Sequence, residues 1–391
     1  MREPVAVVAA GVVTPIGGDV DAFWSSLVTR GQGISRIERF RVDDLRVGLG
    51  GEIKKVVPVP GLTTECRASR LLVAAAGEIA ASAGSMLSGD PGRLGVVVGT
   101  ALGGVEEGER ALAEHAGPRR LAGGLYDSPA RNVARWLGAR GPVQTVSTAC
   151  ASGATALGIA AELLDAGVAD AVVAGGYDIL CRFVMRGFDA LRSLTRDAVR
   201  PFDRRRSGLL LGEAAALVLL APQREADARR APRLGRLLGH GSGSDGSHIA
   251  APDPNGRGLE FTIRMAMAAA GIQPAEVDFV SAHGTATPIN DRIETAVLKR
   301  VLGARAHAIP VNSIKGYMGH TMGAAATLEA IMCLLAARHG VIPPTLGLEE
   351  PDPECDLDYV PGSPRPAGPR IMLSTSQGFG GCNATLVLAG C

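Results

Sequence analysis

Lysine is almost absent from this chain of 391 residues. Only Lys54, Lys55, Lys299 and Lys315 are lysines among 40 basic residues, and the other 36 are arginines. A lysine inside a motif is then there for what a compact, rotatable ammonium does and a planar guanidinium does not. An excess of either charge is also missing: the net charge of +1 gives no polyelectrolyte drive toward nucleic acid. No apolar run approaches the roughly 20 residues of a membrane-spanning helix. The opening MREPVAVVAAGVVTPIGG has one basic residue and breaks at Gly11, so it reads as a buried first strand rather than a targeting segment. The expected location is cytoplasmic, with no membrane or nucleic-acid partner. Seven cysteines contain no CxxC pair, which excludes a patterned disulfide framework or zinc site and leaves reduced thiols.

What is present is glycine, 52 residues of it, in a chain 46% hydrophobic. That composition fits an ordered α/β protein with many tight turns. Strands are expected over 4–10, 94–99, 170–175, 209–220, 278–282, 371–375 and 384–389. Helices are expected over 20–29, 67–86, 107–115, 152–166, 258–271, 291–302 and 322–339. The alternation implies parallel or mixed sheets covered by helices on both faces. Residues 223–257, rich in Gly, Ser, Pro and Arg, read as a surface connection that in part lines a site entrance.

Four segments carry reactive chemistry. In Val146-Ser147-Thr148-Ala149-Cys150-Ala151-Ser152-Gly153 a strand end runs into a cysteine and then a helix of small residues. A helix N-terminus favours thiolate, although a lone free cysteine is more often a structural one. In Ser281-Ala282-His283-Gly284-Thr285 a second strand end places a histidine at a turn, where α/β sheets gather ligand-binding residues. In the third, Lys315 lies five residues before His320, which opens a Gly/Ala-rich helix carrying Glu329. A Lys315–Glu329 pair would orient the histidines and fix their protonation. The last, Gln377-Gly378-Phe379-Gly380-Gly381, sets one aromatic among glycines in a chain that is only 4% aromatic, as a gate or a close backbone donor would require.

The ordered set TACASG, AHGTATPIND, KGYMGHTMGAA and GFGG resembles the β-ketoacyl-acyl-carrier-protein synthases, the elongating ketosynthases of fatty-acid and type II polyketide assembly. The likeness extends over essentially the whole chain. It implies a thiolase fold, with two similar halves in a five-layer α-β-α-β-α arrangement. Residues 1–221 would carry the nucleophilic cysteine and 222–391 the two histidines, in one compact unit. By the same resemblance Cys150 accepts the acyl group, His283 and His320 contact the malonyl thioester carbonyl, and Lys315 and Glu329 support them. Phe379, with Gly378, Gly380 and Gln377, would form the oxyanion hole and gate. Leu102 and Phe188 would face the acyl pocket. Arg67, Arg70 and Arg192, with Arg204 to Arg206 behind them, would dock the acidic acyl-carrier protein. No metal or redox cofactor is implied, because the substrates ride on phosphopantetheine. A homodimer, or a heterodimer with a ketosynthase-like chain, is expected.

The chain departs from that pattern at Gln377, where an aromatic is usual, at Cys382, where threonine is common, and in a short 105–130 stretch. These differences point to a specialised pathway. The paired histidines favour the elongating branch over thiolases and initiating synthases, and Cys150 argues against a non-catalytic chain-length partner. A non-condensing acyltransferase or decarboxylase on the same fold stays open.

Overall fold

The computed structural model describes residues 3–391 except 57, 63, 65, 116 and 118–120. Its centre is a ten-stranded sheet of β1 (Val5–Val13), β2 (Leu94–Gly99), β3 (Val143–Val146), β4 (Ala171–Asp178), β5 (Ala214–Pro222), β6 (Gly235–Ser244), β7 (Phe279–Ser281), β8 (Val311–Asn312), β9 (Ile371–Gly378) and β10 (Cys382–Ala389). Their spatial order is β8-β7-β9-β10-β6-β1-β5-β4-β2-β3. Counted from the middle outward, β1-β5-β4-β2-β3 and β6-β10-β9-β7-β8 follow the same first-fifth-fourth-second-third order. In each group the second strand runs parallel to its neighbours, and the last two of the chain pair antiparallel. The groups join where β1 and β6 pair antiparallel, Val5 opposite Leu237 through Val7 opposite Gly235.

Helices complete the five layers that were expected. On the outer side of the first group, α1 (Arg67–Ser82) covers β1 and β5, and α2 (Ser128–Leu137) covers α1 and β2. On the outer side of the second, α4 (Arg257–Ala270) lies on β6 and β10 with α5 (Pro288–Leu302) beside it. Between them run α3 (Ser152–Asp165) and α6 (Ala325–His339), which touch each other and strands of both groups. The sequence of α6 explains its place. Ala325 to Ala336 are all buried and apolar on every face apart from Thr327 and Glu329, as a helix between two sheets must be. Among the described residues no helix is long and apolar enough to cross a membrane.

One expectation fails. Residues 235–244 are a central strand of the sheet, although 223–257 read as surface connection. The glycines that suggested a loop are there for close approach of helix to sheet. A Cβ at Gly241 would lie 2.3 Å from the Thr262 carbonyl oxygen of α4, and one at Gly239 would lie 2.5 Å from that of Ala266. Only the part beyond β6 reaches the site. Also, 209–213 leave the ladder before β5 begins, and α2 and the helix Arg182–Ala190 had no clear sequence signal.

Candidate active site

Cys150 sits between β3 and α3 on a strained turn. Ala149 takes a left-handed conformation with φ 50°, rare for a residue with a Cβ. Ser152 closes this turn: its hydroxyl donates to the Ala149 carbonyl at 2.6 Å and accepts the Thr148 N–H at 2.9 Å. Gly378, at the end of β9, presses on the same turn, and a Cβ there would lie 2.9 Å from the Cys150 nitrogen. The cysteine is buried. Burial pushes its thiol up to about 12, the negative charge of Asp178 adds to the rise, and Lys315 and the Phe379 N–H pull back only in part. Burial thus works against the thiolate expected at a helix end, because it disfavours the charged form.

His283 stands just beyond β7. Its N–H and that of Gly284 donate to the two oxygens of Glu294, at 2.8 and 2.9 Å, and the Thr375 hydroxyl donates to the same carboxylate at 2.7 Å. His320 is held by its own N–H to the Leu210 carbonyl at 2.7 Å, while its Nδ1 accepts the Met322 N–H at 3.3 Å. The two rings meet edge to face, centroids 5.1 Å apart. Burial drives both imidazoles well below their ordinary pKa, Lys315 drives both further, and His320 adds to the effect on His283. Both are neutral near pH 7. With Nδ1 of His320 an acceptor, its proton resides on Nε2, and that atom has no partner among the described residues.

Lys315 and Glu329 form a buried ion pair, the lysine from the turn before His320 and the glutamate from α6. Burial raises the Glu329 carboxyl to about 7 against the pull of Lys315. The structure thus brings Cys150, His283, His320, Lys315 and Glu329 into one region.

A cavity of about 430 Å³ opens onto Cys150, His283 and His320, with Gln377, Gly378 and Phe379 on its wall. Gln377 is 8% exposed and its side-chain nitrogen is buried without a partner among the described residues. The glycine run bends at Gly380, φ 80°, whose N–H donates to the Ile249 carbonyl at 2.7 Å. This ties the run to the loop that follows β6. Phe188 lines the cavity, whereas Leu102 does not and shares only an apolar cluster with Phe188.

The proposed docking arginines are scattered. Arg192 is exposed on the cavity rim, in a left-handed conformation. Arg67 is engaged inside the fold, its guanidinium on the buried carboxylate of Glu213 and the Ile53 carbonyl, beside a separate cavity of about 480 Å³ that it shares with Arg70. Arg204 and Arg205 pair with Glu350, and Arg206 is buried against Asp352. Sequence reasoning missed Asp178, whose buried carboxylate accepts four hydrogen bonds beside Cys150. The available signal was an acid closing the apolar strand AVVAGGYD.

Two sequence models match the chain: one described as beta-ketoacyl synthase, N-terminal domain, over residues 2–226, and one described as beta-ketoacyl synthase, C-terminal domain, over residues 234–349. A 3-oxoacyl-[acyl-carrier-protein] synthase 2 from Synechocystis sp. is 35% identical, with 98% of this chain and 97% of the relative covered. The tetracenomycin polyketide synthase ketoacyl synthase alpha subunit of Streptomyces glaucescens is 38% identical, with 98% and 96% covered. The solved ishigamide ketosynthase/chain length factor superposes with a TM-score of 0.90 at 32% identity, over 100% of both chains.

Proposed function

The chain belongs to the β-ketoacyl synthase family, and from that premise we propose that it joins an acyl group held on Cys150 to the malonyl unit of malonyl-acyl-carrier protein. Carbon dioxide leaves and β-ketoacyl-carrier protein is released. The observation that carries this reading is the pair of neutral, buried imidazoles facing the same cavity as Cys150, with the His320 Nε2–H unpartnered.

In the first half-reaction the Cys150 sulfur attacks the acyl thioester of the carrier, and the thiol proton leaves with the displaced phosphopantetheine thiol. A sulfur poised near 12 is a strong nucleophile once deprotonated, so proton removal must accompany attack. The backbone N–H groups of Cys150 and Phe379 are suited to hold the tetrahedral oxyanion. In the second half-reaction malonyl decarboxylation leaves an enolate. An N–H from each neutral histidine can stabilise that oxygen without having to lose charge, and burial, with Lys315 beside them, keeps the imidazoles unprotonated. The enolate carbon then attacks the Cys150 thioester and expels the sulfur.

We read residues 1–221 and 222–391 as the halves that supply the cysteine and the histidines. The relative from tetracenomycin synthesis supports a specialised polyketide or fatty-acid-like pathway. The solved ketosynthase/chain length factor supports a second ketosynthase-like chain as partner, and the half-exposed edge strand β3 suits such pairing. The protein would act in the cytoplasm on substrates delivered by phosphopantetheine. Incubation with acyl- and malonyl-carrier proteins, followed by mass analysis of the carrier, tests the reading: a β-ketoacyl product is expected, and transfer without chain extension would refute condensation.

A further inference from the structure

Asp178 closes β4 and is completely buried. Its Oδ1 accepts the Thr100 hydroxyl at 2.7 Å and the Leu102 N–H at 3.1 Å, and its Oδ2 accepts the Ala101 N–H at 2.8 Å and the Gly323 N–H at 2.7 Å. The donors belong to different parts of the site: Thr100, Ala101 and Leu102 to the loop after β2, and Gly323 to the turn after His320. The Thr100 carbonyl lies 3.2 Å from the hydroxyl of Ser152, which closes the strained turn before Cys150. Gly323 follows Met322, whose N–H holds Nδ1 of His320 and whose own backbone is left-handed at φ 49°. One carboxylate therefore fastens the turn behind His320 to the turn that presents Cys150.

We propose that Asp178 is a positioning residue that fixes His320 against Cys150, so that enolate formation depends on it more than acyl loading does. This rests on the reading of His320 as a donor to the malonyl thioester. Misplacement of a catalytic group by about 1 Å can cost roughly 10²-fold in rate. The amide of Asp178→Asn can keep its oxygen on the Ala101 and Gly323 N–H groups while its nitrogen faces the Thr100 hydroxyl, the one donor of the four able to turn and accept, and only the Leu102 N–H loses its acceptor. Asp178→Ala has no such option.

Two partial reactions separate positioning from general damage: acylation of Cys150, and conversion of malonyl-carrier to acetyl-carrier protein, both followed by intact mass. Asp178→Ala should load acyl groups within about threefold of wild type and decarboxylate roughly 10²-fold more slowly. Asp178→Asn, which keeps the Gly323 bond and loses only that of Leu102, should decarboxylate measurably faster than Asp178→Ala. Equal slowing of both reactions in Asp178→Ala, or unimpaired decarboxylation, overturns the proposal. Should the alanine variant fail to fold, Asp178→Glu moves the oxygens by one methylene, keeps the charge and is read by the same split. A wild type that loads acyl groups yet never decarboxylates would instead remove the reading of His320, and the proposal with it.

Discussion

The ring of Phe379 lies against that of Phe188, centroids 5.3 Å apart and planes 27° apart. Phe379 follows the glycine pressed onto the Cys150 turn, so the backbone that approaches the sulfur and the side chain that bounds the cavity belong to one short run. Phe188, on the helix Arg182–Ala190, shares an apolar cluster with Leu102, which is off the cavity wall. Both rings line the cavity that opens onto Cys150.

Chain selectivity should follow from that stack. Leu102→Trp overfills the cluster around Phe188, at a cost of about 1–3 kcal/mol, enough to shift preference toward shorter chains by about tenfold. Gln377→Phe replaces an amide whose buried nitrogen has no partner among the described residues with the ring common in the family, and should favour saturated over polar chains. Competitive loading with chains of graded length and polarity reads both; unchanged preference in both variants would move the determinants elsewhere.

Cys150→Ala should abolish acyl adducts, while replacement of Cys66, Cys181 or Cys382 should not, as intact mass would record. The raised thiol has a definite pH signature. Below its titration the thiolate fraction grows tenfold per pH unit, so alkylation of Cys150 by iodoacetamide should climb steadily from pH 7 to 10. A plateau beginning near pH 7 would mean a thiol tuned low.

His283→Ala and His320→Ala should each stop condensation while leaving some acyl transfer to Cys150, because the imidazoles serve the enolate. Quenched-flow mass analysis of the two half-reactions distinguishes this from a collapsed site. Near-normal condensation in either variant would reassign that histidine.

Charge reversal should separate Arg192 from Arg67. Arg192→Glu, on the rim, should weaken carrier-dependent turnover and flatten its dependence on salt without lowering the melting temperature. Arg67→Glu sets a second carboxylate against buried Glu213, which is left with Arg39 at 3.6 Å as its cation, and its main effect should be lost stability, on the order of 3–5 kcal/mol in chemical denaturation. Unchanged kinetics for Arg192→Glu at low salt would place docking on another face.

Much of the site could be read in the sequence because its reactive groups lie in short segments with local logic. Cys150 and His283 each follow a strand end, His320 precedes a Gly/Ala-rich helix, and the rarity of lysine made Lys315 conspicuous. What could not be read depends on contacts between distant residues. The glycines of β6 resemble a loop until Thr262 and Ala266 of α4 are laid across them. Arg67 looks like a surface charge until Glu213, 146 positions away, is seen beneath it. Nothing local announces that Asp178 would receive N–H groups from both Ala101 and Gly323. The thiol fails differently: its helix end is visible in the sequence, but the dryness of its surroundings is not.

The repeated strand order has a cost for the chemistry it supports. Cys150 hangs from one five-strand group and both imidazoles from the other, so neither repeat can stand in for its twin. A small slip of one group over the other would detune the reaction while leaving the strands and helices of each group intact. Loss of activity can thus precede any loss of secondary structure on heating or mutation. The rigidity that matters is concentrated in α3 and α6, the two middle-layer helices that begin beside the reacting groups.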